Sequence, residues 1–349
     1  MLEKKRIGMN SAVTQCIYFE RDAAGLSNVR LQLETLLVLA ALTKRRLVLP
    51  PPSNVAHLTK LFHEGDLWSM RDLCKHVDIV LQKDIREDAK RADSLKVPLH
   101  EISFDAHGRP SQNSGLGIGD WLFPMQESRI QHFECLRLAT SEQKQKAAQV
   151  VRDSLEFDRR YHAGASRVLR KLNVIPGAYV AVHIRRGDFA QFRPGTQVNG
   201  QSLASTSQGL CRRGGLPLVL ASDASSHDVV FQEFMASCKV PVQATTDAYD
   251  ESDDDLSKAA IDILICTYAK SFVGTPESTF STTIMGFRSK ANLNDESVDA
   301  QPRFLLDKTV NLKEEVGLCW AKPTNYNALR NMSEALGDAP SSSSLGWCV

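Results

Sequence analysis

The sequence predicts an α/β protein of two domains, each built around a parallel sheet. Three observations carry that prediction. At 349 residues the chain exceeds one ordinary domain and fits two. Short apolar runs of strand length alternate with stretches of helical periodicity, the pattern of parallel sheets covered on both faces. Hydrophobic residues make up 42% and charged residues 24%, the balance of a packed globular protein.

The elements follow in order. Cys16-Ile17-Tyr18-Phe19 reads as a short buried strand, and a polar turn over residues 20–25 follows it. Through residues 26–43, Leu33, Leu36, Leu37, Ala40 and Ala41 recur at helical spacing. Arg46-Leu47-Val48-Leu49 is the next strand, stopped by Pro50-Pro51-Pro52, and residues 77–81 form a further strand. Residues 99–124, rich in Gly, Ser, Asn and Pro, read as a long irregular loop. Residues 142–173 read as helical, with Phe157, Tyr161, Ala165, Val168, Leu169 and Leu172 on one apolar face, closed by Asn173 and Pro176-Gly177. Strands at 179–184, 217–222, 240–244 and 271–274 then mix with helices at 227–238, 256–269 and 279–288. Residues 190–210 read as a mobile loop, 247–255 as an exposed acidic segment, and the chain from Asp338 as a frayed tail. The domains are expected to meet near residues 155–178, dividing the chain into 1–160 and 161–349.

Charge excludes some functions. With 42 basic and 41 acidic residues the net charge is only +1, so neither nucleic acid nor an acidic membrane is an expected partner. Any anionic ligand must be held by a local cluster of donors. The eight cysteines form no Cys-x-x-Cys pair and complete no zinc pattern, so no metal site is expected. Several lie in apolar runs, where an inert buried thiol is the commoner role, though an even count also permits disulfides. No apolar stretch approaches the roughly 20 residues that span a bilayer. Met1-Leu2-Glu3-Lys4-Lys5-Arg6 is followed by no signal-like apolar segment. The expectation is a soluble protein, cytoplasmic as written, or in the ER or Golgi lumen if a leader is missing; Asn331-Met332-Ser333 is a glycosylation sequon.

Two segments concentrate chemistry. Ala181-Val182-His183-Ile184 is apolar enough for a central strand, and Arg185, Arg186, Gly187 and Asp188 arrive at its end. Ligands of open parallel sheets bind beyond the carboxyl ends of strands. Arginine suits a diphosphate there because its planar fork gives paired, charge-assisted hydrogen bonds. Gly187 lets the backbone turn, and Asp188 can hold one Arg in position. The same residues also suit a structural Arg–Asp pair. The second segment, Phe272 to Ser281, is a strand, a tight turn and a helix start, where backbone N–H groups and the hydroxyls of Ser278 and Thr279 can hold an anion. The turn before the first helix, Ala24-Gly25-Leu26-Ser27-Asn28-Val29-Arg30, is no Gly-x-Gly-x-x-Gly fingerprint. Asp223 follows another strand, and Asp253-Asp254-Asp255 also reads as an Asp-x-Asp metal motif, in a solvated loop.

Together these segments resemble the protein O-fucosyltransferase family, including its plant-like branch, over residues 14–290. The carriers are Gly25 to Arg30 with Leu33-Glu34 and Leu47-Val48-Leu49-Pro50-Pro51, then His183 to Phe189, then Asp262 with Gly274 to Ser281. The resemblance implies a GT-B-like fold, two Rossmann-like domains facing a cleft, with the donor mainly on the C-terminal half. It implies a glycosyltransferase that moves fucose from GDP-fucose to a protein or glycan hydroxyl, with inversion, no cofactor and no essential metal. Arg185 would bind the β-phosphate and help the glycosidic bond break, and Asn28 would sit near the reacting centre. His183 and Asp262 would contact the nucleoside, and Ser278, Thr279 and Phe280 would line the diphosphate, with Gly25 and Asp188 completing the donor site. The family's Asn-Gln-Arg is here Asn28-Val29-Arg30, and the Glu that some members place before the glycine is Ala24. The general base thus stays open among Asp22, Asp188 and an acceptor that needs none. A non-catalytic sugar-nucleotide binder remains an alternative, as does an α1,2-type glycan fucosyltransferase, which His183 to Asp188 also resembles.

Overall fold

The computed structural model describes residues 15–22, 24–82, 99–101, 120–123, 141–192, 199–275 and 278–290. Cys135, Cys319, Cys348, the Asn331 sequon and the tail from Asp338 lie outside them.

Two parallel sheets organise the described residues. The first runs β3-β2-β1-β5-β4, from β1 (Cys16–Phe19), β2 (Arg46–Leu49), β3 (Ile79–Leu81), β4 (Leu99–Glu101) and β5 (Asp120–Phe123). The second runs β8-β7-β6-β9, from β6 (Val180–Ile184), β7 (Leu218–Ser222), β8 (Val242–Ala244) and β9 (Ser271–Val273). Every ladder is parallel. Strand order reverses between β1 and β5 and again between β6 and β9, which places the loops after β1, β6 and β9 at switch points, where open sheets hold ligands. Burial explains the sequence: all five residues of β6 are buried, as a strand covered on both faces requires.

The helices are α1 (Leu26–Thr43), α2 (Glu64–Leu67), α3 (Met70–Leu73), α4 (Ser141–Ser154), α5 (Arg159–Lys171), α6 (Phe189–Phe192), α7 (Gly200–Gly214), α8 (Val229–Ser237), α9 (Asp255–Tyr268) and α10 (Thr279–Lys290). Helix α4 packs on α1 and α5 packs on α9, so the chain passes from one half to the other between α4 and α5.

Four expectations need correction. Residues 99–124 are not wholly irregular, because both ends are strands; at three and four residues, β4 and β5 are too short to show a period. The expected helix over 142–173 is two helices, separated where Phe157 bridges to Trp68. The expected mobile loop over 190–210 overlaps α6 and holds most of α7, and its residues 193–198 lie outside the described ones. Its small, polar sequence is helical because Leu203, Ala204, Leu210 and Cys211 join the core, and Asn199 caps it through Ser202 N at 2.8 Å. Gly200 allows the close fit, since a Cβ there would collide with Val230 O. The acidic segment 247–255 is only partly exposed: Ala248 is buried and Asp253 pairs with Arg167.

One hydrophobic cluster spans both halves, and the rings of Trp68, Phe157 and Phe287 join them, with Phe157 at 4.8 and 5.0 Å from its two neighbours. Arg30 of α1 also reaches α10, its guanidinium 5.5 Å from the Phe287 ring centroid and near Thr283 Oγ1.

The loop between β2 and α2 is pinned by a buried ion pair. Arg21 Nε and Nη2 meet Glu64 Oε1 and Oε2 at 2.8 and 2.7 Å. The same guanidinium donates to Pro51 O at 2.9 Å and Ser53 Oγ at 2.6 Å. Replacing Arg21 by Ala leaves the Glu64 carboxylate buried and unpaired. The expected loss in urea unfolding is about 3–5 kcal/mol, with much of it recovered when Glu64 is also made apolar. Equal stability of Arg21→Ala and parent would show that the pair does not hold the loop.

Candidate active site

The site begins with a mismatch at the edge of β6. Its ladder with β9 ends at Val182 and Val273, whereas its ladder with β7 continues to Ile184 and Ser222. Beyond Val182 the buried peptide groups of β6 need partners on the β9 side. The Thr275 side chain supplies them: Oγ1 donates to His183 O at 2.9 Å and accepts from Arg185 N at 2.9 Å. Thr275 N donates to Ser281 Oγ at 3.0 Å, and that hydroxyl lies 2.8 Å from His183 Nδ1. The end of β6, the turn after β9 and the start of α10 are therefore one hydrogen-bonded unit.

That unit aims Arg185. Its Nη2 meets Asp188 and its Nη1 meets Asp223, the acid that follows β7. The side chain is 19% exposed. Nε–H and one further N–H on each terminal nitrogen remain to face a ligand. Gly187, at φ +24°, is required for this arrangement, because a Cβ would lie 2.6 Å from Asp223 Oδ2 and 2.8 Å from Arg185 Nη1. Arg186 serves differently. Its Nε pairs with Asp228 Oδ2 at 2.9 Å while Asp228 Oδ1 caps α8, so this guanidinium is structural.

A cavity of about 380 Å³ opens beside Arg185, between the two sheets. Gly25, Leu26 and Ser27 at the start of α1 form one wall with Ala56, His57 and Leu58 of the β2–α2 loop. His183, Arg185, Asp223, Thr279 and Phe280 line the cavity from the second half, with Tyr249, Lys258 and Asp262. The His183 ring stacks on Phe280 at a centroid distance of 4.6 Å. Burial, helped by Arg185, pushes the His183 pKa down to about 3, so the ring is neutral and Arg185 carries the positive charge. Asp262 behaves oppositely. Although one face meets the cavity, burial pushes its pKa up to about 6, opposed by hydrogen bonds from Tyr249 and Thr245. The arrangement offers a fixed cation, a stacking pair and a recessed carboxyl group: it can hold an anion at one end and an N–H-bearing ring at the other.

The structure thus gathers Gly25, His183, Arg185, Asp262, Thr279 and Phe280 around one cavity, and Asp188 braces Arg185. Two residues sit back from it. Ser278 is buried and accepts from Ser281 N at 3.3 Å, capping α10. Asn28 occupies the first turn of α1, its N–H on Gly25 O at 2.8 Å, and is not among the lining residues. Asp22 is buried, with Oδ1 accepting from Ala24 N at 2.8 Å. His57, Tyr249 and Lys258 belong to no motif that the sequence displays. Thr275 had a signal, a Gly-Thr pair directly after a strand.

Comparison with known proteins agrees with this geometry. The sequence profile described as GDP-fucose protein O-fucosyltransferase matches residues 17–290. The chain belongs to that family. GDP-fucose protein O-fucosyltransferase 2 of Drosophila melanogaster is 31% identical over 133 residues, 36% of this chain and 27% of the relative. The Caenorhabditis elegans protein of the same name is 26% identical over 247 residues, 68% of this chain and 52% of the relative. The chain therefore spans about a quarter and about half of these curated relatives. Among solved structures, POFUT1 in complex with GDP superposes with a TM-score of 0.54 at 15% identity, over 81% of this chain and 98% of that one. The fucosyltransferase NodZ from Bradyrhizobium gives 0.51 at 11% identity, over 79% and 93%. The family's GT-B fold, two parallel-sheet α/β halves around a cleft, is the fold of this chain.

Asp262 makes the site measurable by pH. Its folded pKa lies above the unfolded carboxylate value, so the folded state binds more protons between about pH 4 and 6 and loses stability across that window as pH rises. Asp262→Asn keeps an acceptor for Tyr249 and removes the buried charge. It should raise unfolding free energy at pH 7 by on the order of 2 kcal/mol, with the gain vanishing near pH 4. A pH-independent difference in urea unfolding would contradict this.

Proposed function

We propose that the chain is a fucosyltransferase, taking fucose from GDP-fucose and delivering it to a hydroxyl of a protein or glycan, with inversion and without an essential metal. The observation that carries this reading is the braced guanidinium of Arg185 at a double switch point. Family membership supports the donor, as do relatives of the same fold whose structures contain GDP or GDP-fucose.

In this reading the diphosphate lies against Arg185 and the start of α10, whose Thr279 N-terminus lines the cavity. The guanine edge, which carries adjacent N–H donors, meets the Asp262 carboxyl group, and the neutral His183–Phe280 pair packs beside the nucleoside. As the bond from fucose C1 to the β-phosphate oxygen ionises, negative charge grows on that phosphate. Arg185 is already oriented by Asp188 and Asp223, so it stabilises the charge without reorganising. This role needs no metal ion to neutralise the leaving group.

Arg185→Ala is the test. Asp188 and Asp223 keep solvent contact, so both stay hydrated when the guanidinium is removed and the circular dichroism spectrum should not change. Turnover of GDP-fucose should fall at least ~10²-fold, the scale of one preorganised transition-state donor. Lys should rescue poorly, because it keeps the charge and loses the fork. A folded Arg185→Ala protein with parental turnover would reduce Arg185 to an ion-pair residue and sink the proposal.

A further inference from the structure

The β2–α2 loop reaches the cavity under unusual constraint. Its base is closed by a two-way hydrogen-bonded bridge, Ser53 N to Phe62 O at 3.1 Å and Phe62 N to Ser53 O at 2.9 Å. Arg21 fixes the same base through Ser53 Oγ and the Pro51 carbonyl. At the tip, Ala56 pairs with Gly25 in an isolated parallel bridge, and Leu58 N turns back to Val55 O at 3.2 Å. His57 sits at this tip with φ +69°, a left-handed conformation that few non-glycine residues adopt. A loop that only had to turn would be served by Gly or Asn. Strain at a side chain that lines a cavity, held from both ends, is the pattern of a residue kept for its chemistry.

The imidazole faces a specific partner. His57 Nε2 lies 3.2 Å from Asp188 Oδ2, while Asp188 Oδ1 accepts from Arg185 Nη2. One carboxylate therefore joins a ring on the N-terminal half to the anion-binding guanidinium on the C-terminal half. With its proton on Nε2 and donated to Asp188, the neutral ring carries its lone pair on Nδ1, which has no hydrogen-bond partner among the described residues. The side chain is 51% exposed and lines the cavity, so an incoming hydroxyl can reach it. A ring that lines the cavity and is oriented by a carboxylate has the arrangement that proton abstraction from an acceptor needs.

We propose that His57 is the general base of the transfer reaction, oriented by Asp188. This rests on the fucosyltransferase reading above. The acceptor O–H bond breaks and its proton goes to His57 Nδ1. The acceptor oxygen forms the new bond to fucose C1, and the bond from C1 to the β-phosphate oxygen breaks. Its electron pair leaves on GDP, where Arg185 meets the charge. Asp188 stabilises the imidazolium that results. His57 thus fills the role left open by Ala24, from a different loop.

The test uses the full chain with GDP-fucose and water as acceptor, following GDP release, with GDP affinity measured separately by calorimetry. His57→Ala and His57→Gln should each lose at least ~10²-fold in turnover, the usual contribution of a positioned base, while GDP affinity stays within about threefold. Free imidazole should restore part of the His57→Ala rate and none of the Arg185→Ala rate. Turnover within about threefold of parent in both variants would overturn the assignment. So would a loss matched by weakened GDP binding that Gln restores, since that marks a loop-positioning role. If the parent binds GDP without measurable turnover, nitrogen-15 spectra of the GDP-bound protein decide: a neutral ring protonated at Nε2 supports the proposal, and one protonated at Nδ1 refutes it. A parent that binds no GDP would remove the fucosyltransferase reading itself, and His57 with it.

Discussion

The hydroxyl of Thr275 is the small interaction on which the site depends. Strand β6 outruns its neighbour β9, so two buried peptide groups flanking Ile184 would have no partner on that side. One side chain answers both, and through Ser281 it also fixes the His183 ring. Leaving such groups unmade costs about 1–3 kcal/mol each, so the seam cannot drift without a penalty comparable to a large share of the fold's stability. Arg185 begins immediately after it. Its direction is therefore set by backbone geometry before any ligand arrives, which is what preorganised charge stabilisation requires.

Around this seam the protein accepts several locally unfavourable choices. Asp262 is recessed enough that loss of solvent pushes its pKa up to about 6. His57 adopts a left-handed backbone, and Gly187 gives up a side chain so that Arg185 and Asp223 can approach. The rest of the structure offsets these costs with ordinary means. The cluster around Trp68, Phe157 and Phe287 ties the halves together, and the fully buried Arg288 donates to the carbonyls of Cys266, Thr267, Ala269 and Lys270 at the end of α9. Apolar packing covers the faces of the sheets, and charge and strain gather at their carboxyl ends.

Much of this is legible in the sequence, for physical reasons. Helix α1 and strands β1, β2 and β6 bury nearly every residue, so their apolar content marks them regardless of context. The Arg185 region is legible because two adjacent guanidiniums at the end of an apolar strand are costly to hold there unless carboxylates or an anionic ligand meet them. Where expectation and structure part, tertiary contact has overridden composition. Helix α7 is rich in Ser, Gln and Gly because it packs closely on α8, not because it is a loop. Strands β4 and β5 are defined by pairing within the sheet, which no window of four residues can report. His57 carries no local signal because its partner Asp188 is 131 positions away, and nothing near Val55-Ala56-His57-Leu58 marks a positive φ.

The site unites features from both halves: a cation braced by two acids, a recessed carboxyl group and a stacked neutral imidazole, enclosed by the first turn of α1. The central claim is that this cavity receives a guanosine diphosphate with its terminal phosphate on Arg185. A crystal structure of the full chain with GDP tests it most directly. The account predicts the β-phosphate within hydrogen-bond distance of the Arg185 guanidinium and the guanine edge at Asp262. GDP bound on another face of the molecule, or in this cavity with its phosphates turned away from Arg185, would contradict it.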